Sequence, residues 1–94
     1  MAGEETFQGE RKASCPAAAA TQVRTGIGRI CRLLVQAGTG TIDVYDNTAT
    51  AGTPVWSIGA AAVGAIYVLD CPMATGIRVV TGVGTVVTAV YSGD

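Results

Sequence analysis

The feature that most constrains the fold of this chain is the regular interruption of short β-forming runs by glycine or proline. From Cys15 onward, Val, Ile and Thr recur in short runs, each ended by Gly or Pro. Turn signals at intervals of about 8–12 residues are typical of an antiparallel sandwich or barrel. No stretch combines helical periodicity with helix caps. The sequence therefore predicts an all-β protein, an antiparallel β-sandwich of jelly-roll or immunoglobulin-like type, with about six or seven strands.

Alternation within the runs predicts which side chains face the core, because successive side chains of a strand point to opposite faces. In the stretch "TIDVYD", Ile42 and Val44 share one face, and Asp43 and Tyr45 share the other. The same rule gives four further sets of side chains that share a face: Cys31, Leu33 and Val35; Trp56 and Ile58; Ile77 and Val79; and Val86, Thr88 and Val90.

The N-terminal residues differ in composition from the rest of the chain. Residues 1–14 are polar and rich in charge, and after Met1 their only large apolar side chain is Phe7. Such a segment cannot build a core, so we expect residues 1–14 to be an extended arm and residues 15–94 to be the β-sandwich domain. We expect the arm to dock on neighbouring chains through five residues: Glu4, Glu5, Phe7, Arg11 and Lys12.

Few charged residues cover the predicted domain. Charged residues make up 14% of the chain and the net charge is −1, whereas about 25% is usual for a soluble domain. A nucleic-acid binder or a polybasic membrane-surface protein would carry an excess of basic residues, so we expect neither partner. A domain of this size leaves much of its surface exposed. An exterior rich in Ala, Val, Thr and Gly therefore predicts an oligomer or a place in a larger assembly.

The sequence also bears on targeting. The N-terminus "MAGEETFQGERK" lacks the apolar region of a signal peptide, and no run approaches the ~18 apolar residues of a membrane-spanning helix. We therefore expect a soluble protein that is made in a cytoplasm.

Residues for catalysis or metal binding are scarce. The chain has no His, which removes the usual base of Ser/His/Asp and Cys/His catalysis. Cys15, Cys31 and Cys71 lie far apart, form no CxxC pair and are expected to be small buried hydrophobic residues. Asp43 and Asp46 lie three apart on a strand and so face opposite ways. The sequence predicts no enzyme, no cofactor and no metal site.

The stretch "TIDVYDNTATAGTPVW" leaves two alternatives open. Asp46 and Asn47 have the short polar side chains that bond nearby backbone amides in turns, although their oxygens could also bind Ca²⁺. Trp56 could anchor the core, or it could be an exposed platform for a sugar ring. The pattern favours hairpin construction in both cases.

Two long stretches, "GRICRLLVQAGTGTIDVYDNTATAGTPVWSI" and "GAIYVLDCPMATGIRVVTGVGTVVTAVYSGD", together resemble small β-sandwich virion proteins of tailed bacteriophages, of the capsid decoration or cement type. The features that carry the resemblance are a Gly-Arg entering the first strong strand, the "TIDVYDNT" strand and turn, a Trp on the next strand and a terminal "GIRVVTG–GTVVTAVY" hairpin. The likeness covers residues 26–94 and carries over no catalytic residue.

This resemblance implies a structural role in a virion that is assembled in the host cytoplasm. The implied function is to bind the outside of a phage head and stabilise contacts between capsid subunits. The implied partners are the major capsid protein and further copies of the chain, with a homotrimer favoured. Two alternatives remain: a tail or fibre module that binds host-surface glycans, and a β-sandwich adaptor outside viruses.

Overall fold

The structure is a computed structural model and describes residues 11–93. These residues form eight strands and contain no helix. The strands are β1 Arg11–Cys15, β2 Ala20–Thr25, β3 Gly28–Ala37, β4 Ile42–Tyr45, β5 Trp56–Ile58, β6 Ile66–Met73, β7 Gly76–Thr81 and β8 Val86–Gly93.

The eight strands form two four-stranded antiparallel sheets. Sheet I has the order β1-β8-β3-β6 and sheet II has the order β2-β7-β4-β5. Both sheets contribute side chains to one apolar core, so the arrangement is sandwich-like. The prediction of an all-β antiparallel fold is confirmed. The buried core side chains are Cys15, Ile30, Leu33, Val35, Ile42, Val44, Ala61, Met73, Ile77, Val79, Val87 and Ala89.

Alternation predicted the core face where one apolar residue alternates with one polar residue. Ile42 and Val44 of β4 are fully buried, as are Ile77 and Val79 of β7. Their neighbours Asp43, Tyr45 and Arg78 are only partly buried. These parts of the core prediction are confirmed.

In β3 the predicted face is wrong at its first residue. The register of β3 against both β6 and β8 shifts between Ile30 and Arg32, so Cys31 is an extra residue opposite β8. Such a bulge breaks the two-residue alternation. The buried set is therefore Ile30, Leu33 and Val35, while Cys31 is only partly buried.

In β8 the predicted set Val86, Thr88 and Val90 does share a face, because the strand carries no extra residue, but the core lies on its other face. The core face carries Val87 and Ala89, which are fully buried, whereas Val86 and Thr88 are partly exposed. Because β8 has apolar residues at both even and odd positions, alternation alone could not show which of its two faces meets the core. Val90 is buried on the opposite face, where Lys12 of β1 and Arg32 of β3 are its cross-strand partners.

The first strand begins earlier than the predicted domain boundary at Cys15. Residues 11–14 were assigned to the arm because of their charge, but they pair with β8, with Arg11 opposite Tyr91 and Lys12 opposite Val90. Ladder pairing uses backbone groups and does not require apolar side chains. The strand number is therefore eight rather than the predicted six or seven, with β1 ending at Cys15 and β2 beginning at Ala20. Residues 1–10 lie outside the described residues.

Candidate assembly surfaces

The connections between the strands gather at two ends of the sandwich. One end consists of the loops 16–19, 38–41, 59–65 and 82–85, and none of these residues is charged. We call it the uncharged end. The other end consists of the loops 26–27, 46–55 and 74–75. We call it the charged end, because charged side chains lie in or beside its loops: Arg24, Arg29, Asp46, Asp70 and Arg78.

Backbone hydrogen bonds join all four loops of the uncharged end. The N–H of Ala18 donates to the carbonyl of Gly82 at 2.9 Å, and the N–H of Gly82 donates to the carbonyl of Thr41 at 2.8 Å. The N–H of Ala61 then donates to the carbonyl of Gly40 at 2.9 Å. The loops therefore form one connected surface.

Close backbone contact also holds this end together. Gly38 has φ +83°, and a Cβ at this position would overlap the backbone of Gly84 and Thr85. The fully buried Thr85 side chain accepts a hydrogen bond from the N–H of Gly40 at 2.8 Å. The loops can approach this closely only because glycine carries no side chain and tolerates positive φ.

Apolar side chains project from the tips of the uncharged end. Val83, between Gly82 and Gly84, is 88% exposed, and Val63 is 61% exposed. Ala60 is also exposed in the loop that contains Val63. This end therefore presents apolar tips on a scaffold that its own hydrogen bonds hold in place.

The charged end is held by side chains instead. The Asp46 carboxylate accepts hydrogen bonds from three successive backbone N–H groups of the β6–β7 turn: Ala74 at 3.0 Å, Thr75 at 2.7 Å and Gly76 at 3.2 Å. These donors, that of Ala74 foremost, hold the pKa of Asp46 below its usual value, and slight burial opposes them. Asp46 therefore ties the β4–β5 loop to the β6–β7 turn.

A second polar contact at this end centres on Gln22 and Arg78. Arg78 donates to the Gln22 side-chain oxygen at 2.9 Å and to the Thr50 hydroxyl at 2.7 Å. The Gln22 side-chain nitrogen is within hydrogen-bonding distance of three backbone carbonyls, those of Arg24, Asn47 and Ile77. This contact joins β2 and β7 to the β4–β5 loop.

An exposed ion pair lies on β3 and β6. Arg29 and Asp70 approach to 2.8 Å, and Asp70 has φ +48°. Ion pairs at exposed positions contribute little to stability. The positive φ at Asp70 coincides with the register shift between β3 and β6.

The turn interpretation of Asp46 and Asn47 holds in part. The Asn47 side-chain oxygen accepts a hydrogen bond from the N–H of Thr48 at 2.7 Å, which is local turn chemistry. Asp46 instead bonds a turn that lies 28 to 30 residues further along the chain. Sequence reasoning missed this contact because it depends on which loops meet in space.

The strand edges offer a second exposed surface. β6 is an edge strand of sheet I, and on its outer side Ile66 is 61% and Val68 is 75% exposed. Asp70 and Pro72 follow in the second half of the strand, where charge and the missing N–H of proline discourage pairing. The first half of β6 carries neither, so it is open to a further strand.

The other edge strands are better protected. β1 exposes Arg11 and Lys12, and edge charges disfavour pairing with another chain. β5 is only three residues long. β2 is polar, and its register against β7 shifts between Gln22 and Arg24. The open segment of β6 therefore stands out among the edges.

The predicted arm residues are placed only in part. Arg11 and Lys12 are exposed on β1. Glu4, Glu5 and Phe7 lie outside the described residues, so the predicted docking of the arm stays a prediction.

Trp56 packs against the core from β5, and it is only partly buried. Its ring lies against that of Tyr67, with centroids 5.4 Å apart and planes tilted by 48°. Ile58 packs against the core on the same side. Trp56 thus contributes to the core from β5, the edge strand of sheet II, which favours a core anchor over an exposed platform for a sugar ring.

The three cysteines are free thiols in different surroundings. Cys15 is buried, and burial raises the pKa of its thiol to about 11. Cys31 and Cys71 are partly buried, so the prediction of buried cysteines is confirmed for Cys15 alone.

Within residues 11–93, no group of three or more His, Cys, Asp or Glu side chains could hold a metal ion. In the same residues, no helix is long and apolar enough to cross a membrane.

Comparisons with known proteins show a similarity in fold to a solved structure. No family model matches the chain, and no curated protein matches it. A solved structure described as "Bacillus endospore appendages form a novel family of disulfide-linked pili" is similar in fold, with a TM-score of 0.51 and 21% sequence identity. The similarity covers 88% of this chain and 85% of the pilus chain. At this identity the similarity shows a shared fold.

Proposed function

We propose that this protein is a non-enzymatic structural subunit that builds a larger assembly with further copies of itself. The observation that carries the proposal is the open first half of β6, where Ile66 and Val68 are exposed on an edge strand. An edge strand presents unpaired backbone donors and acceptors, and a strand from another chain can add to it. Burial of the two apolar side chains would add to the backbone hydrogen bonds.

The finer fold type supports a building-block role. β1 pairs with β8, β2 with β7, β3 with β6 and β4 with β5. This nested pairing fits jelly-roll connectivity, which we propose over the immunoglobulin-like alternative. Jelly rolls of eight strands occur in viral capsids and in other settings. The fold similarity to a pilus protein also fits a structural role, because that protein is described as forming pili.

The test measures the size of the particles that the purified chain forms. We expect assemblies much larger than the 9.4 kDa chain at micromolar concentration, seen by sedimentation and negative-stain electron microscopy. Val68→Lys should abolish these large assemblies, because it places a charge in the open segment of β6. Ala20→Lys, which adds the same charge to an exposed position on the β2 edge of sheet II, should leave them intact. A wild-type chain that stays monomeric would overturn the proposal.

A second candidate is the capsid decoration role that the sequence resemblance implies. The nested strand pairing favours it, because viral capsid proteins use this connectivity. In this role the chain, as a trimer, binds the major capsid protein on the outside of a phage head. The test is to mix the purified chain with assembled phage shells and to count bound copies per capsid subunit. Binding to shells without self-assembly would replace the first proposal, whereas binding to glycans alone would favour the tail or fibre alternative.

A further inference from the structure

The uncharged end has the composition of a protein interface. Its four loops comprise 19 residues, and all but the buried Ala61 and Thr85 are exposed or partly exposed, slightly fewer than the ~20–30 residues on one side of a typical contact. They contain no Asp, Glu, Lys or Arg. The centres of protein interfaces are depleted in charged residues in the same way.

This surface also needs little ordering before it binds. The backbone hydrogen bonds from Ala18 to Gly82, from Gly82 to Thr41 and from Ala61 to Gly40 connect its loops in the single chain. Ordering of loops is one of the costs of association, so a surface that is held in place binds with a smaller entropy loss. Val63 and Val83 project from it and would lose most of their exposed area in a contact.

We propose that the uncharged end binds the uncharged end of a second copy in a two-fold symmetric contact. In a two-fold contact a patch meets a copy of itself, so the patch must be complementary to itself. The charged end would have to pair Arg24 and Arg29 with Asp46 of the other copy and take all three charges out of water. The uncharged end has no charge to repel its copy, and its exposed valines can pack against each other.

This inference deepens the proposed self-assembly and adds a contact distinct from the β6 edge. The two contacts adjoin, because the open segment of β6 begins at Ile66, directly after loop 59–65 of the uncharged end. They differ in kind, since one uses the edge of sheet I and the other uses the loop tips. A chain with both contacts can form extended assemblies. A chain with the end contact alone stops at a dimer, because a two-fold contact is closed.

The experiment separates the two contacts by sedimentation equilibrium of variants of the full chain. We expect Val68→Lys to leave a dimer and the double variant Val68→Lys/Val83→Lys to be a monomer. Because the contact would bury each added lysine among uncharged residues without a partner, dimerisation should weaken by more than ~100-fold. The matched control is Ile27→Lys in the Val68→Lys background. Ile27 is 70% exposed at the charged end, and its substitution should leave the dimer unchanged.

A second measurement does not depend on charge. Val83→Cys should give a disulfide-linked dimer under mild oxidation, because the two-fold axis brings the two tips together. Ile27→Cys should cross-link far less under the same conditions, and the wild-type chain reports any background from Cys31 and Cys71.

The possible outcomes distinguish the inference from the proposed function. A Val68→Lys chain that is monomeric, or a dimer that survives Val83→Lys, would overturn the end contact while leaving the β6 contact standing. Wild-type and Val68→Lys chains that are both dimers, with Val83→Lys a monomer, would support the end contact and refute the β6 contact.

Discussion

The two ends of the sandwich are both well connected, but they are built from different chemistry. The uncharged end relies on backbone hydrogen bonds and on glycines that let two chain segments touch, as Gly38 and Gly84 do. The charged end relies on side chains, above all the Asp46 carboxylate and the Gln22–Arg78 contact. Backbone contacts do not titrate, whereas a carboxylate does. The stability of the charged end can therefore respond to pH, whereas the uncharged end is sensitive to any increase in side-chain volume at its glycines.

The largest effect on stability should come from adding one methyl group at the uncharged end. Gly38→Ala forces a left-handed backbone on a residue with a Cβ and overlaps the Gly84 backbone. We expect the free energy of unfolding to fall by about 3–5 kcal/mol, from strain and overpacking together. Urea unfolding followed by Trp56 fluorescence measures this change.

The control for this substitution lies at the same end. A Cβ at Gly59 would meet no atom within 4 Å, and the φ of Gly59 is not positive. Gly59→Ala should therefore change the free energy of unfolding by less than ~1 kcal/mol. If both substitutions cost the same small amount, close backbone contact does not hold the uncharged end.

A smaller effect should come from removing the carboxylate at the charged end. Asp46→Ala leaves three backbone N–H groups of the β6–β7 turn without their acceptor, although water can take over some of these hydrogen bonds. We expect a loss of about 1–2 kcal/mol in the free energy of unfolding. Asp43→Ala on β4, the strand that leads into Asp46, should change the free energy of unfolding by less than ~0.5 kcal/mol, because no hydrogen bond to its side chain occurs in the part of the chain described. Equal losses in the two variants would show that the turn does not depend on Asp46.

The pH dependence of stability should differ between the wild type and Asp46→Asn. The folded-state pKa of Asp46 lies below the ordinary value of an aspartate, because three backbone N–H groups donate to the carboxylate. The charged carboxylate therefore stabilises the fold above about pH 4, and this contribution is lost as pH falls through the folded pKa. We expect the difference in stability between the two proteins to be largest at pH 7 and to shrink by pH 2. A difference that stays constant across this range would contradict the electrostatic origin of the contact.

The smallest effect concerns reactivity and leaves stability unchanged. Cys15 lies in the strand that leads into the uncharged end, and burial raises the pKa of its thiol to about 11. At pH 8 it should therefore react with a maleimide much more slowly than Cys31 or Cys71, which are partly exposed. Mass spectrometry of peptides after timed labelling measures the three rates. Equal rates in the native protein would show that Cys15 is accessible.

The sequence allowed the fold class and part of the core to be predicted. Where one apolar residue alternates with one polar residue, as in Ile42–Asp43–Val44 and Ile77–Arg78–Val79, the residues that face the core could be predicted. The core face of β8 could not, because Val86 and Val87 are both apolar and so are Ala89 and Val90. The bulge at Cys31 also could not be predicted, since it arises from pairing with β8.

The candidate surfaces were harder to predict than the core. The scarcity of charge indicated an assembling surface but not its position. The absence of charge in four separate loops becomes meaningful only when the topology brings those loops to one end. The capping of the β6–β7 turn by Asp46 is likewise a contact between distant segments, which no local pattern encodes. Exposure of Ile66 and Val68 follows from the place of β6 at an edge, which is also a property of the sheet order.

The position of β8 between β1 and β3 has a consequence for biosynthesis. A ribosome makes Val86–Gly93 after all the other strands, yet this strand joins β1 to the rest of sheet I. Until it is made, β1 has no ladder partner in its sheet and β3 has an open side. Pairing across such a long stretch of chain is slow, and unpaired strand edges invite contact with other nascent chains. Chains that end before Val86 should therefore aggregate or be degraded. Chains that lack only residues 1–10 should keep all eight strands able to pair.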